Sequence, residues 1–174
     1  MSRITTYILI LSFLIACGSE VKVDRKDSST TVLEKSIPND KLYGVWEGVT
    51  FQVSLNSVDN IEDSTAVFEV SEAAWEAKLQ VKPVRTIYLP DSTYVQEFRT
   101  LQGEIYNTTK GLWNTYGDTI MLLERDATYT YDSKFNDKGW LELRSLVDWD
   151  DDGQLDDEYL ATHRLVGRDV RAYQ

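Results

Sequence analysis

From Trp140 to Val147 the chain reads WLELRSLV, with Leu141, Leu143 and Val147 on one side of a period-two pattern and Glu142 and Arg144 on the other. Such alternation fits a strand with one face in a core and one in water, because successive side chains point to opposite faces. Similar runs recur along the chain. Residues 43–55 (YGVWEGVTFQVSL) place Val49, Phe51, Val53 and Leu55 on one face, and residues 84–89, 93–101, 119–124, 127–131 and 159–166 continue the series. Turn residues separate them: Pro90-Asp91-Ser92, Gly103, Gly111, Gly117-Asp118, Asp137-Lys138-Gly139 and Gly153. Ten Tyr and five Trp suit a pleated, half-buried surface. Short strands with regular turns predict an all-β, mainly antiparallel sandwich or barrel. Period two beside the Gly-Asp turn assigns Trp113, Ile120, Leu122, Leu141 and Leu143 to the interior.

One segment breaks the strand pattern. Ser71 to Gln80 (SEAAWEAKLQ) has a capping residue, an acid in the first turn, helix-forming alanines, and Trp75 and Leu79 at helical spacing. It predicts one short helix that closes a barrel mouth or lies on a sheet. Residues 56–64 (NSVDNIEDS) read as a polar loop.

The first sixteen residues, MSRITTYILILSFLIA, carry one early cation at Arg3 and then an apolar run. That run is too short to span a bilayer, which takes about 20 residues, and fits a signal peptide. It ends in Leu14-Ile15-Ala16-Cys17-Gly18-Ser19, which resembles the lipobox of bacterial lipoproteins. The resemblance implies cleavage before Cys17, acylation of its thiol and new amino group, and anchoring in a membrane. Gly rather than Asp at residue 18 resembles the sorting pattern that directs enteric lipoproteins to the outer membrane of the cell envelope. Residues 17–40 are then the lipidated Cys and a flexible polar tether, and the folded domain spans 41–174. Cys17 is the sole cysteine, so no disulfide supports that domain.

Two Gly-x-Trp pieces occur, Gly44-Val45-Trp46 and Gly111-Leu112-Trp113, the second inside GLWNTYGDTIMLLE. A Gly-x-Trp strand followed by a Gly-Asp turn and an apolar strand resembles bacterial lipocalin-like domains. The resemblance implies a barrel with one such Trp at its closed end, and an interior able to hold a small apolar ligand. Trp46 and Trp113 also read as ordinary core aromatics.

Residues 148–158, DWDDDGQLDDE, hold seven carboxylates and no cation, within a chain of formal net charge −11. The run Asp148-Trp149-Asp150-Asp151-Asp152-Gly153-Gln154-Leu155-Asp156 spells D-x-D-x-D-G-x-x-D. A hard cation such as Ca²⁺ wants six to eight oxygens. Carboxylates at the first, third and fifth loop positions converge, and Gly at the sixth lets the next carbonyl, that of Gln154, turn inward. Asp148, Asp150, Asp152, Gln154 and Asp156 are the expected ligands of a structural Ca²⁺. The spacing resembles the first nine positions of an EF-hand loop and, with strand-like flanks, the calcium loops of secreted bacterial β proteins. Where an EF-hand has its bidentate Glu this chain has Tyr159, which leaves Asp157 or Glu158 to complete the set.

The acidic balance argues against nucleic acid, whose binding needs clustered Lys and Arg. Catalysis finds little to build on. His163 is the sole histidine and lies in a strand pattern, no Gly-x-Ser-x-Gly occurs, and no spacing singles out a glycosidase carboxylate pair. The expected activity is binding, of a small apolar ligand or an envelope partner, by a membrane-anchored lipoprotein that is not an enzyme. A hydrolase of envelope polymers and a purely structural assembly subunit are the rivals.

Overall fold

The computed structural model describes residues 38–56 and 65–174. The expected signal peptide (1–16), Cys17, most of the expected tether and most of the polar loop lie outside the described residues.

The elements are α1 (Asn39–Leu42), β1 (Gly44–Leu55), β2 (Ala66–Val70), a 3-10 turn (Glu72–Ala74) running into α2 (Trp75–Leu79), β3 (Arg85–Tyr88), β4 (Thr93–Arg99), β5 (Ile105–Tyr116), β6 (Thr119–Leu123), β7 (Thr128–Phe135), β8 (Leu141–Val147), β9 (Asp157–Gly167) and a final 3-10 turn (Arg171–Tyr173). Every pairing is antiparallel. Strands β3 to β9 follow one another in order, and β9 returns to β1, so eight strands close a barrel. Closure removes the open sheet edges that invite aggregation. The twelve-residue β1 carries β3 along residues 44–47 and β2 along residues 51–55. The expected helix stands in the gap between them as residues 72–79. Its start takes no side-chain hydrogen bond from Ser71, and Gln80 ends it in the left-handed conformation (φ 57°).

Two local readings are corrected, and two strand segments are added. Gly111 is not a turn residue but lies inside β5. A Cβ there would come 2.3 Å from the Leu123 carbonyl oxygen and 2.8 Å from the Tyr94 ring, so the close approach of β6 and Tyr94 requires glycine. Strand β2 and the first half of β5 had no legible strand pattern. In β1 the even face of one half becomes the odd face of the other, because the register against β9 slips between Gly48 and Thr50. An extra residue shifts side-chain parity by one. Trp46 pairs with Leu165, and Phe51 with Ala161, all on the inner face, while Val49 falls in the slip.

The interior core joins Leu42, Trp46, Tyr88, Tyr94, Trp113, Ile120, Leu122, Leu141, Leu143 and Ala161, every one buried. All five residues assigned to the interior from period two are among them. A smaller cluster lies outside the barrel, where Val170 and Tyr173 of the C-terminal turn cover Val45, Ile87, Leu89 and Val95. Beside it Glu47 takes Arg85 at 3.0 Å, Arg99 at 2.9 Å and Arg164 at 3.5 Å. Burial raises the Glu47 pKa, but the Arg99 and Arg85 guanidiniums outweigh it and hold the carboxyl below its ordinary value.

Candidate functional site

The two ends of the barrel differ. At the end where β1 begins, α1 drops Leu42 into the interior, and the Trp46 indole N–H donates to the Leu42 carbonyl at 2.7 Å. The Trp113 indole N–H donates to the Leu89 carbonyl at 3.1 Å. Tyr43 and Tyr88 meet the Trp113 ring edge-on at 5.7 and 5.3 Å, and Phe135 lies 5.8 Å from Trp46. Both Gly-x-Trp tryptophans therefore plug the same end.

At the opposite end the inward positions are of another kind. Following the register, Gln96, Thr109, Tyr131, Ser145 and Tyr159 face inward, and all remain half-exposed. Tyr129, also inward, is 43% exposed. On the β1 side this end is covered, because Val53, Val70 and Trp75 are buried and Trp75 packs edge-on against Phe51 at 5.4 Å. The opening is on the β4–β8 side. Glu124, just beyond β6, stands there half-buried and accepts the Tyr94 hydroxyl at 2.7 Å. Among the described residues its carboxylate has no other hydrogen-bond partner and no cation within ion-pair distance. The hydroxyls of Tyr88, Tyr131 and Tyr159 likewise have no hydrogen-bond partner among the described residues. Burial, then the neighbouring Tyr129 and Glu124, push the Tyr131 hydroxyl up to about 12, and burial raises the Tyr88, Tyr94 and Tyr159 values further.

The acidic loop joins β8 to β9 at the rim of this open end. Asp148, Asp150 and Asp152 each bring a carboxylate oxygen within 4.8 Å of the others. That spread is the diameter of a Ca²⁺ shell, about 5 Å for ligands at about 2.4 Å. Backbone amides set the loop: Asp148 accepts the Asp152 N–H at 2.9 Å and the Gly153 N–H at 3.0 Å, and Asp152 accepts the Gln154 N–H at 2.8 Å. Asp151 (φ 61°) and Gly153 (φ 88°) adopt left-handed backbone to make the reversal. Three carboxylates fit a hard cation but, at one oxygen each, supply three of the six to eight ligands it takes.

Of the other expected ligands, Asp156 and Gln154 are not in that trio; the Asp156 carbonyl accepts Asn56 Nδ2, and Gln154 Nε2 reaches back to Asp152 at 3.4 Å. Asp157 and Glu158 are otherwise engaged. Asp157 is buried and takes the Trp149 N–H at 2.8 Å and the Asn56 N–H at 3.3 Å, and Glu158 pairs with Arg144. Sequence reasoning missed this role of Asp157, since nothing in a run of acids marks the one that turns inward. Trp149, inside the loop, stacks on Phe68 at 6.2 Å and 25°.

Two open grooves of about 550 Å³ lie on the outer wall. One, over β7–β9, gathers Asp118, Asp132, Glu142 and Glu158. Asn136 and Lys134 hold the Glu142 carboxyl below its ordinary value, and Glu158 has its Arg144 partner. His163 lies in the wall opposite Gly48 and Leu141, and burial pushes its pKa down to about 4. No protein-family model matches the chain, and no curated protein matches it.

Proposed function

We propose that this chain is a lipid-anchored envelope protein that binds a small ligand with an apolar body in the open half of a lipocalin-like barrel, with a structural Ca²⁺ in the loop at its mouth. The observation that carries this reading is the difference between the two ends. One is plugged by Leu42, Trp46 and Trp113, and inward side chains at the other stay half-exposed. A barrel closed at one end and accessible at the other is a cup, and cups of this size hold one small ligand. The anchor rests on the lipobox-like run ending at Cys17. The ion rests on the three converging carboxylates, which without a counter-charge repel one another. A hydrolase draws no support from the groove over β7–β9, since a general acid needs a raised pKa and Glu142 has a lowered one.

The test is titration of the full chain in lipid discs with a neutral apolar fluorescent dye, N-phenyl-1-naphthylamine, against empty discs. Saturable binding at one site, lost in Thr109→Trp with the fold intact, is expected, because that indole would fill the open half. Absence of saturable binding, or binding indifferent to Thr109→Trp, sinks the cup. Cys17→Ser should release the chain from membranes; retention without cleavage would overturn the anchor. A second reading, docking of an envelope protein, has one observation in its favour: Leu112, Tyr116, Met121 and Leu123 form an exposed apolar row on the outer face of β5 and β6.

A further inference from the structure

The mouth of the cup has a chemistry that its apolar walls do not explain. Glu124 is a half-buried carboxylate whose partner among the described residues is the Tyr94 hydroxyl. Glu124 also borders the outer groove that Lys110 and Arg125 line, but neither cation lies within ion-pair distance of it, and Arg125 faces Asp126 at 3.5 Å. A carboxylate partly withdrawn from water without a cation is costly to keep charged. Near it stand Tyr129 and Tyr131 of β7 and, two strands along the wall, Tyr159 of β9, whose ring lies 6.2 Å from that of Tyr131. A tyrosine ring presents a negative face to a cation, and a hydroxyl without a protein partner can accept an N–H. Gly111 leaves no side chain between Tyr94 and β6, so the Tyr94–Glu124 pair sits at the lumen wall instead of being walled off. The whole chain carries −11, which raises the local concentration of cations near the mouth.

We infer that the mouth selects an organic cation: an amine or quaternary ammonium with a small apolar body, its charge against Glu124 and the rings of Tyr129 and Tyr131. This rests on the cup reading and adds the charge of its ligand. A neutral ligand would leave the Glu124 charge uncompensated, and an anionic one would meet it head-on. A cation supplies the missing counter-charge, and the tyrosine faces replace part of its hydration.

The test uses four water-soluble probes sharing one aromatic body: benzyltrimethylammonium, benzylamine, benzyl alcohol and phenylacetate. Each is titrated calorimetrically into the full chain in zwitterionic lipid discs, with empty discs as the blank. The two cations should bind at least tenfold tighter than benzyl alcohol, and phenylacetate weakest. Glu124→Gln, whose amide oxygen still accepts the Tyr94 hydroxyl, should erase the cation preference while benzyl alcohol binding persists. A purely structural Glu124 would not change the order of the probes. If the alcohol binds as well as the cations, or the order survives Glu124→Gln, the inference fails and the cup stands. If none of the four binds while the fluorescent dye still does, it fails in the same way. If neither probes nor dye bind, the cup itself is wrong.

Discussion

The same eight strands build both ends of the barrel, yet they fill the two ends with different chemistry. At the α1 end Trp46, Trp113 and Leu141 point inward and are buried, with the partly buried Tyr43, Phe135 and Leu165 packed against them, and the two indole N–H groups there are paired with backbone carbonyls. At the other end the inward residues are Gln96, Thr109, Tyr129, Tyr131, Ser145 and Tyr159, with Glu124 among them. Fully burying a large apolar side chain contributes about 1.5–3 kcal/mol, so the plugged end contributes more to stability than the open end does. The open end is then free to hold polar groups whose desolvation a tight core would not tolerate. The division separates a buried apolar end from a more accessible polar one within one continuous sheet.

The largest effect should come from the plugged end. Trp113→Ala removes a buried indole at the centre of the core and should destabilise by about 3–5 kcal/mol in urea unfolding; Leu143→Ala should cost about 2–5 kcal/mol. Gln96→Ala or Thr109→Ala at the open end should change stability by less than about 0.5 kcal/mol. Equal losses at the two ends would abolish the distinction between them.

Next in size is the ion. Ca²⁺ at a hundred times its Kd should stabilise the chain by about 2.7 kcal/mol, because it binds only the folded loop. Sodium at matched ionic strength is the control. Asp150→Ala should remove that gain and leave metal-free stability unchanged or higher, as it relieves like-charge repulsion. Asp157→Ala should do the reverse, destabilising with or without Ca²⁺, since its oxygens hold the Trp149 and Asn56 amides. If Asp150→Ala leaves the calcium shift intact, the trio is only an acidic turn.

His163 gives a pH signature of the wall. Its folded pKa of about 4 lies below the ordinary 6.5, so the unfolded chain takes up a proton first as pH falls. Stability should be flat above about pH 7 and decline between about 6.5 and 4.5, by about 2 kcal/mol after allowing for partial exposure. Below that window Glu47 and Glu142, whose pKa values are lowered, begin to lose their own contributions. His163→Leu should flatten the upper part of the profile, and an unchanged slope would place the imidazole in water.

The sequence was readable where one face of a strand is buried and the other wet. Leu141 and Leu143 alternate with Glu142 and Arg144, and the structure puts the first pair inside. It was unreadable where that contrast is missing. Residues 105–110 are exposed on both faces except for a half-buried Thr109, so IYNTTK shows no period although it is a strand. In β2 five residues give too short a window, and in β1 the slip after Gly48 switches parity, which no composition signals. The site was legible in part for the same reason. Asp148, Asp150 and Asp152 share a local loop, so their spacing sufficed. Glu124, Tyr94 and Tyr159 come from β6's end, β4 and β9, and only the closed register brings them to one mouth.

The smallest effect separates the Tyr94 ring from its hydroxyl. The ring is fully buried over Gly111 and belongs to the plugged core, while the hydroxyl reaches the open end and donates to Glu124 at 2.7 Å. Tyr94→Phe keeps the packing and removes the donor alone. A hydrogen bond to a charged acceptor contributes about 1.5–3 kcal/mol when buried, but Glu124 is half-exposed and water can replace the lost donor. The expected loss is therefore about 1 kcal/mol. Tyr94→Ala, which deletes the ring as well, should cost about 3–5 kcal/mol. Urea unfolding of both variants measures the difference. A Tyr94→Phe loss as large as that of Tyr94→Ala would mean the hydroxyl belongs to the core and the boundary between the two halves lies elsewhere.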